Sequence, residues 1–348
     1  MHQHILRDRL RFLLNPFLSL ITSLLMRIAR IKPKGRDIVY HCVSRIVGGQ
    51  FLLGNVEKES FRRMMWTQAE FCGVEIVAYC LMSNHVHLLV RVPKSTQIDD
   101  RSLLNRVTHL YGAKSTLTKR LKNLLETTKS IPSGQRNALL ARMGDISVFN
   151  KELKQRFSTW YNRRNGRFGT LWAERFRSTI VEGVAETMRI VAAYIDLNPV
   201  RAGLVTDPKD YRFCSYAEAL SGGQKSQNAI MGFYPSGTWQ RISSSYREYL
   251  FVKGGLPGHS KKIAMERGAI LREIKAGARL SAAQLLRLKI RYFSDGLALG
   301  STSYINKLFD ENRNRFGPRK RTGAHSLPPA LERLNVTTLN KLKNEPIS

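Results

Sequence analysis

Residues 77–90 read Val77-Ala78-Tyr79-Cys80-Leu81-Met82-Ser83-Asn84-His85-Val86-His87-Leu88-Leu89-Val90. Two apolar, β-rich runs flank the polar pair Ser83-Asn84, so the stretch reads as a hairpin of buried strands, 75–82 and 85–92. Successive side chains on a strand point to opposite faces. His85 and His87 therefore share one face, and Val86 enters the other layer. Two imidazoles about 7 Å apart on one sheet face can share a metal ion. The plainer reading of the same pattern is a pair of structural histidines.

Upstream, Asp37 to Ser44 (DIVYHCVS) alternates and reads as a first strand, with Phe51 to Gly54 a short strand or turn. Val56 to Cys72 has helical spacing, with Phe61, Met64, Met65, Ala69 and Phe71 on its apolar side. The order β-α-β-β predicts an α+β fold, a helix packed on one face of an antiparallel sheet. Residues 99–164 read as several inserted helices, broken at Ile131-Pro132-Ser133-Gly134. Phe168 to Val181 reads as an extended return to the sheet, and Ala185 to Leu197 as a helix closed by Asn198-Pro199. Ser221 to Ser226 is a polar stretch and a candidate boundary. Beyond it, Glu266–Lys275, Ser281–Phe293 and Ser301–Arg313 read as helices followed by the basic residues Arg315, Arg319, Lys320 and Arg321. Two readings stand there: a helix-turn-helix-like DNA-binding module, or a helical cap with a solvated basic tail.

Composition narrows the function. The 348 residues are 43% hydrophobic, which excludes a disordered basic tail. Lys plus Arg number 57 against 26 Asp plus Glu, a formal charge of +31, which predicts a phosphate-rich partner. The basic residues spread along the whole chain, which argues against a membrane surface. Cys42, Cys72, Cys80 and Cys214 form no CxxC pair and read as reduced core thiols, which predicts a cytoplasmic protein. Phe12 to Met26 is apolar but short for a bilayer span and interrupted by Asn15-Pro16, so residues 1–25 read as an upstream extension or a loose amphipathic helix. There is no P-loop and no internal repeat.

A metal on two imidazoles needs a further ligand. Tyr194 and Asn198 stand four apart at the end of the 185–197 helix, on one helical face. Asn198 either offers a carbonyl oxygen to a hard cation or simply stops the helix before Pro199. Tyr194 is either a phenol nucleophile or a core tyrosine.

Five ordered blocks then resemble one family. Tyr79 to Val90 resembles the HUH signature (histidine, bulky hydrophobe, histidine) of single-tyrosine transposases. Tyr40-His41-Cys42-Val43-Ser44-Arg45 resembles the family's first strand. Tyr161-Asn162-Arg163-Arg164, Gly169-Thr170-Leu171-Trp172 and Arg175-Phe176-Arg177-Ser178 resemble its central block. Tyr194 to Val205 (YIDLNPVRAGLV) resembles its tyrosine helix, and Asp207-Pro208 with Tyr211 to Tyr216 its closing block. Over about residues 36–217 the chain is similar to the REP-associated tyrosine transposases of the IS-two-hundred-like group. Residues 1–25 lie outside the resemblance, the insert is longer than in compact members, and residues 220–348 correspond only to an accessory region of longer relatives.

The resemblance implies a ferredoxin-like or RRM-like antiparallel sheet with the HUH strand inside it. It implies Tyr194 as nucleophile, with Tyr161 the rival, and His85, His87 and Asn198 as ligands of Mg²⁺ or Mn²⁺. It implies cleavage of single-stranded or hairpin DNA through a 5′-phosphotyrosine, by a monomer or homodimer associated with the nucleoid. Arg163, Arg164, Arg167, Arg175, Arg177, Arg319, Lys320 and Arg321 are the expected DNA contacts. A derived, non-catalytic hairpin-binding regulator is the alternative. The domain reading is an extension at 1–35, the HUH domain at 36–220 with an insert at about 95–155, a linker at 221–260, a helical DNA-binding region at 261–325 and a tail at 326–348.

Overall fold

The computed structural model describes residues 30–33, 35–94, 97–251, 285–286, 289–318 and 320–340. The chain divides into Met1–Lys34 and Gly35–Ser348, and the second unit carries every element named below. The apolar stretch 12–26 lies outside the described residues. Among the described residues no helix is long and apolar enough to cross a membrane.

Strand β1 (Ile38–Arg45) leads into helix α1 (Asn55–Cys72), then β2 (Glu75–Leu81) and β3 (His85–Val92). Helix α1 ends where Gly73 turns left-handed at φ 65°, and its N–H caps the carbonyls of Ala69 and Glu70. Four helices come next: α2 (Asp100–Tyr111), α3 (Thr116–Thr127), α4 (Ser133–Leu140) and α5 (Ile146–Arg164). Asp99 and Asp145 cap α2 and α5 by accepting backbone N–H groups of their first turns. Strand β4 (Arg177–Val181) returns the chain to the sheet, and α6 (Ala185–Asp196) crosses it. Pro199 lacks an N–H to continue α6, so a separate turn, α7 (Asn198–Arg201), begins at Asn198.

The sheet has 7 strands in the order β2-β3-β1-β4-β5-β7-β6. Its first four strands pair antiparallel throughout, the ferredoxin-like order, with the histidine strand β3 inside. Directly paired residues share a face, so Val43 and Arg45 of β1 lie on the face of His87 and His85. His41, two residues before Val43, joins them. Helices α1 and α5 cover the opposite face, where Phe61 packs edge to face on Phe157 at 5.1 Å and on Trp172 at 6.0 Å. Helix α6 covers the histidine face. All four cysteines are buried free thiols.

The C-terminal half differs from the sequence expectation. Helix α8 (Ser215–Leu220) ends the expected domain, and α9 (Gln224–Met231) and α10 (Trp239–Phe251) run through the stretch read as a linker and bury Ile230, Ile242, Tyr246 and Leu250. Helix α11 (Arg291–Asp295) precedes β5 (Ala298–Gly300), which pairs parallel with β4. Helix α12 (Thr302–Glu311) comes next, then β6 (His325–Ser326) and β7 (Thr337–Thr338), which extend the same sheet. The described part of the region read as helical, and of the tail, holds the helices α11 and α12 together with short strands that extend the sheet. Strands of two or three residues carry too little alternation to be seen in a sequence. Glu266–Lys275 lies outside the described residues.

One buried carboxylate ties this half to the site. Asp196, the last residue of α6, accepts from Ser215 Oγ at 2.8 Å, the Tyr216 N–H at 3.0 Å and Tyr246 Oη at 2.9 Å. Burial pushes its pKa up to about 6 against those three donors. Each such bond to a charged group contributes about 1.5–3 kcal/mol. The cluster pins the end of the helix that carries Tyr194.

Candidate active site

Three imidazoles line the buried face of β1 and β3. His85 and His87 rings lie 5.0 Å apart, and His41 stacks on His87 at 5.1 Å. Burial lowers all three pKa values, His41 and His85 to about 4 and His87 well below the ordinary value. The Arg45 and Arg201 charges push His85 and His87 further the same way. At neutral pH each ring is therefore neutral, the form a metal ion requires.

Helix α6 brings Tyr194 onto this group. Its ring lies 6.2 Å from His41 and 6.4 Å from His87, edge to face with both. The Arg201 guanidinium carbon stands 3.9 Å from the Tyr194 ring centroid. Arg201 is half-buried and donates to the carbonyls of Tyr194 at 2.6 Å and Leu286 at 2.7 Å. Among the described residues no carboxylate neutralises it. Its charge favours a phenolate on Tyr194, whereas burial, the larger effect, raises the phenol's pKa.

Tyr194 is also covered. It is 2% exposed. The Phe293 ring packs on it at 4.7 Å, and the nearby Ile290 backbone favours its ionised form. The Phe293 carbonyl is also bonded to His41 Nδ1 at 2.7 Å. The cover is thus the segment 290–293. Asp295 anchors its end through Arg177 at 2.8 Å and Arg291 at 3.2 Å.

The other expected residues divide between the site, the core and the surface. Asn198 is buried, and its amide nitrogen bonds back to the carbonyls of Ile195 at 3.0 Å and Tyr194 at 3.4 Å, which makes it a helix stop. Tyr161 is buried on α5, with its ring beside Phe157 in the opposite layer. Arg163, Arg164 and Arg175 are exposed, and Arg167 is half-buried. Arg177 is held in ion pairs with Glu174 and Asp295. Lys320 donates to the Leu339 carbonyl and sits 4.8 Å over Phe316, whereas Arg321 is exposed. Arg319 lies outside the described residues. Phe176, the aromatic between Arg175 and Arg177, is buried, and the exposed aromatic of that region is Phe168, at 94%.

Sequence reasoning did not single out His41, Arg45 or Arg201. Their signals were present but weak. His41 and Arg45 sit on alternate positions of β1, and Arg201 comes seven residues after Tyr194, two helical turns.

The donor set bears on which cation fits. Among the described residues no group of three His, Cys, Asp or Glu side chains forms a metal cage. Two imidazoles fit a cation that completes its shell from water or substrate oxygens.

Residues 35–125 match the family model described as Transposase IS200 like. The matched segment contains β1, β3 and all three histidines, and ends before Tyr194. A solved structure described as "Structure of the REP associates tyrosine transposase bound to a REP hairpin" aligns with 14% identity and a TM-score of 0.37, over 61% of this chain and 92% of that one. No curated protein sequence matches the chain.

Proposed function

We propose that this chain is a transposase that cuts and rejoins single-stranded DNA at hairpins through Tyr194. The observation that carries the reading is the meeting of two neutral histidines, one tyrosine and a half-buried guanidinium with no carboxylate beside it among the described residues. A DNA phosphate would supply the countercharge such a guanidinium favours.

His85 and His87 are the residues to hold Mg²⁺ or Mn²⁺, with Asn198 a third contact only if its amide leaves its own helix. When bound, the cation supplies polarisation of the scissile phosphate and stabilisation of the departing 3′-oxygen. Tyr194 Oη attacks phosphorus, the P–O3′ bond breaks, and a 5′-phosphotyrosine and a 3′-hydroxyl result. Arg201 favours the phenolate that attacks. A second 3′-hydroxyl reverses the step and joins new ends, without ATP. The Phe293 side chain must swing off Tyr194 before any phosphate reaches it.

DNA is held by the last turn of α5 and the loop after it. Arg163, Arg164 and Arg175 offer phosphate contacts, and exposed Phe168 offers a ring for an unpaired base. Val47 N–H donates to the Leu171 carbonyl at 3.0 Å, and Ile46 N–H to that of Asn84 at 2.8 Å, so this loop is tied to the turn before His85. Phe168→Ala should weaken hairpin binding by about 5- to 100-fold, the range of base stacking. Arg163→Ala with Arg164→Ala should instead flatten the salt dependence by about one unit per lost phosphate contact. Fluorescence anisotropy at several salt concentrations reads both.

The covered hydroxyl favours one second reading, a non-catalytic hairpin-binding regulator. The deciding experiment incubates the full chain with hairpin oligonucleotides and Mn²⁺ on a denaturing gel. A covalent protein–DNA band is expected. Tight binding without that band, at any metal concentration, would leave the regulator.

A further inference from the structure

We propose that His41 and Asn84 are positioning residues that fix the tautomers of His87 and His85, so that each presents a bare Nε2 to a divalent cation. The proposal rests on the reading of His85 and His87 as metal ligands and adds the residues that set them.

Proton placement is decided by which groups can donate. The Phe293 carbonyl only accepts, so the 2.7 Å bond requires the proton on His41 Nδ1. A neutral imidazole carries one N–H, so His41 Nε2 is bare and accepts. It lies 2.9 Å from His87 Nδ1, which must then carry the His87 proton. His87 Nε2 is left with its lone pair free.

A second relay ends the same way. The Gly49 carbonyl only accepts, so Asn84 turns its Nδ2 to it, at 3.2 Å. Asn84 Oδ1 therefore faces His85 Nδ1 at 2.6 Å and accepts its proton. His85 Nε2 is bare in turn. Two independent relays, each ending on a backbone carbonyl, leave the same nitrogen free on both histidines. A purely structural pair has no need of this agreement. Partners of this kind orient metal-binding histidines, and their loss costs about 10- to 100-fold in metal affinity.

His41 is the sharper test because it is fully buried and on a different strand from the residue it orients. Mn²⁺ affinity of the full chain, without DNA, is measured by calorimetry and electron paramagnetic resonance. Imidazole ¹⁵N shifts of the metal-free protein report which nitrogen of His87 is bare. Wild type should show a bare His87 Nε2. His41→Leu should weaken Mn²⁺ binding about 10- to 100-fold and mix the His87 tautomers. His41→Gln, whose amide can donate to the Phe293 carbonyl and accept from His87, should recover most of both.

Wild-type shifts that place the proton on His87 Nε2 would overturn the proposal, even if His41→Leu fails to fold. So would a folded His41→Leu with wild-type Mn²⁺ affinity. If the wild type binds no Mn²⁺, or if His85→Ala and His87→Ala leave binding unchanged, the metal reading itself fails.

Discussion

Tyr194→Phe should abolish the covalent protein–DNA band while leaving hairpin affinity and folding nearly intact. The ring stays, and with it the Phe293 contact at 4.7 Å and the Arg201 contact at 3.9 Å. Only the hydroxyl is lost. The loss of adduct should exceed about a thousandfold, because the phenol oxygen it removes is the atom that would form the phosphotyrosine. Tyr161→Phe should have no such effect, since Tyr161 packs beside Phe157 on α5. A denaturing gel with labelled hairpin DNA reads the outcome. An adduct that persists in Tyr194→Phe and vanishes in Tyr161→Phe would move the nucleophile to Tyr161.

Phe293→Ala should raise the rate of adduct formation at least tenfold. Truncating a buried phenylalanine costs about 3–5 kcal/mol where its ring is packed. That loss falls on the state in which Tyr194 is covered, so the uncovered population grows. The Tyr194 phenol also regains water, which removes the burial that holds its pKa up. Asp295→Asn should act in the same direction and more weakly, because it loosens the Arg177 and Arg291 anchors without touching the ring. Single-turnover cleavage, with melting temperature measured alongside, makes the comparison. An unchanged rate in both folded variants would mean that the 290–293 segment does not limit access.

The legible part of the fold is the part with long periodic runs. The strand expected at 85–92 is observed there, and the helix expected at 56–72 begins one residue earlier. Alternation over eight residues, or apolar recurrence over seventeen, leaves little choice of element. The pairing of His85 with His87 came from that alternation. The proximity of Tyr194 to them came only with the resemblance, because nothing local says which sheet face a later helix covers. Arg177 reads as a free cation in sequence, yet its partner Asp295 lies 118 residues away. Phe176, between two expected DNA contacts, is core, because the strand that begins at Arg177 turns it inward. His41 sits among apolar neighbours on β1 and takes its meaning only from the register with β3.

The segment that covers Tyr194 continues directly into the sheet. The Ile180 N–H donates to the Leu297 carbonyl at 3.0 Å, and the Glu182 N–H to that of Leu299 at 2.9 Å. A segment tethered this closely behaves as an intramolecular competitor, present at an effective concentration in the millimolar range. Under the proposed function, incoming DNA would not meet a vacant cleft; it would have to displace a rival that never diffuses away. The apparent affinity of the proposed cleavage site would be reduced by whatever fraction of molecules that rival occupies. Strands that bind well to the outer basic loop hold a high local concentration of their own, and only those outlast the contest.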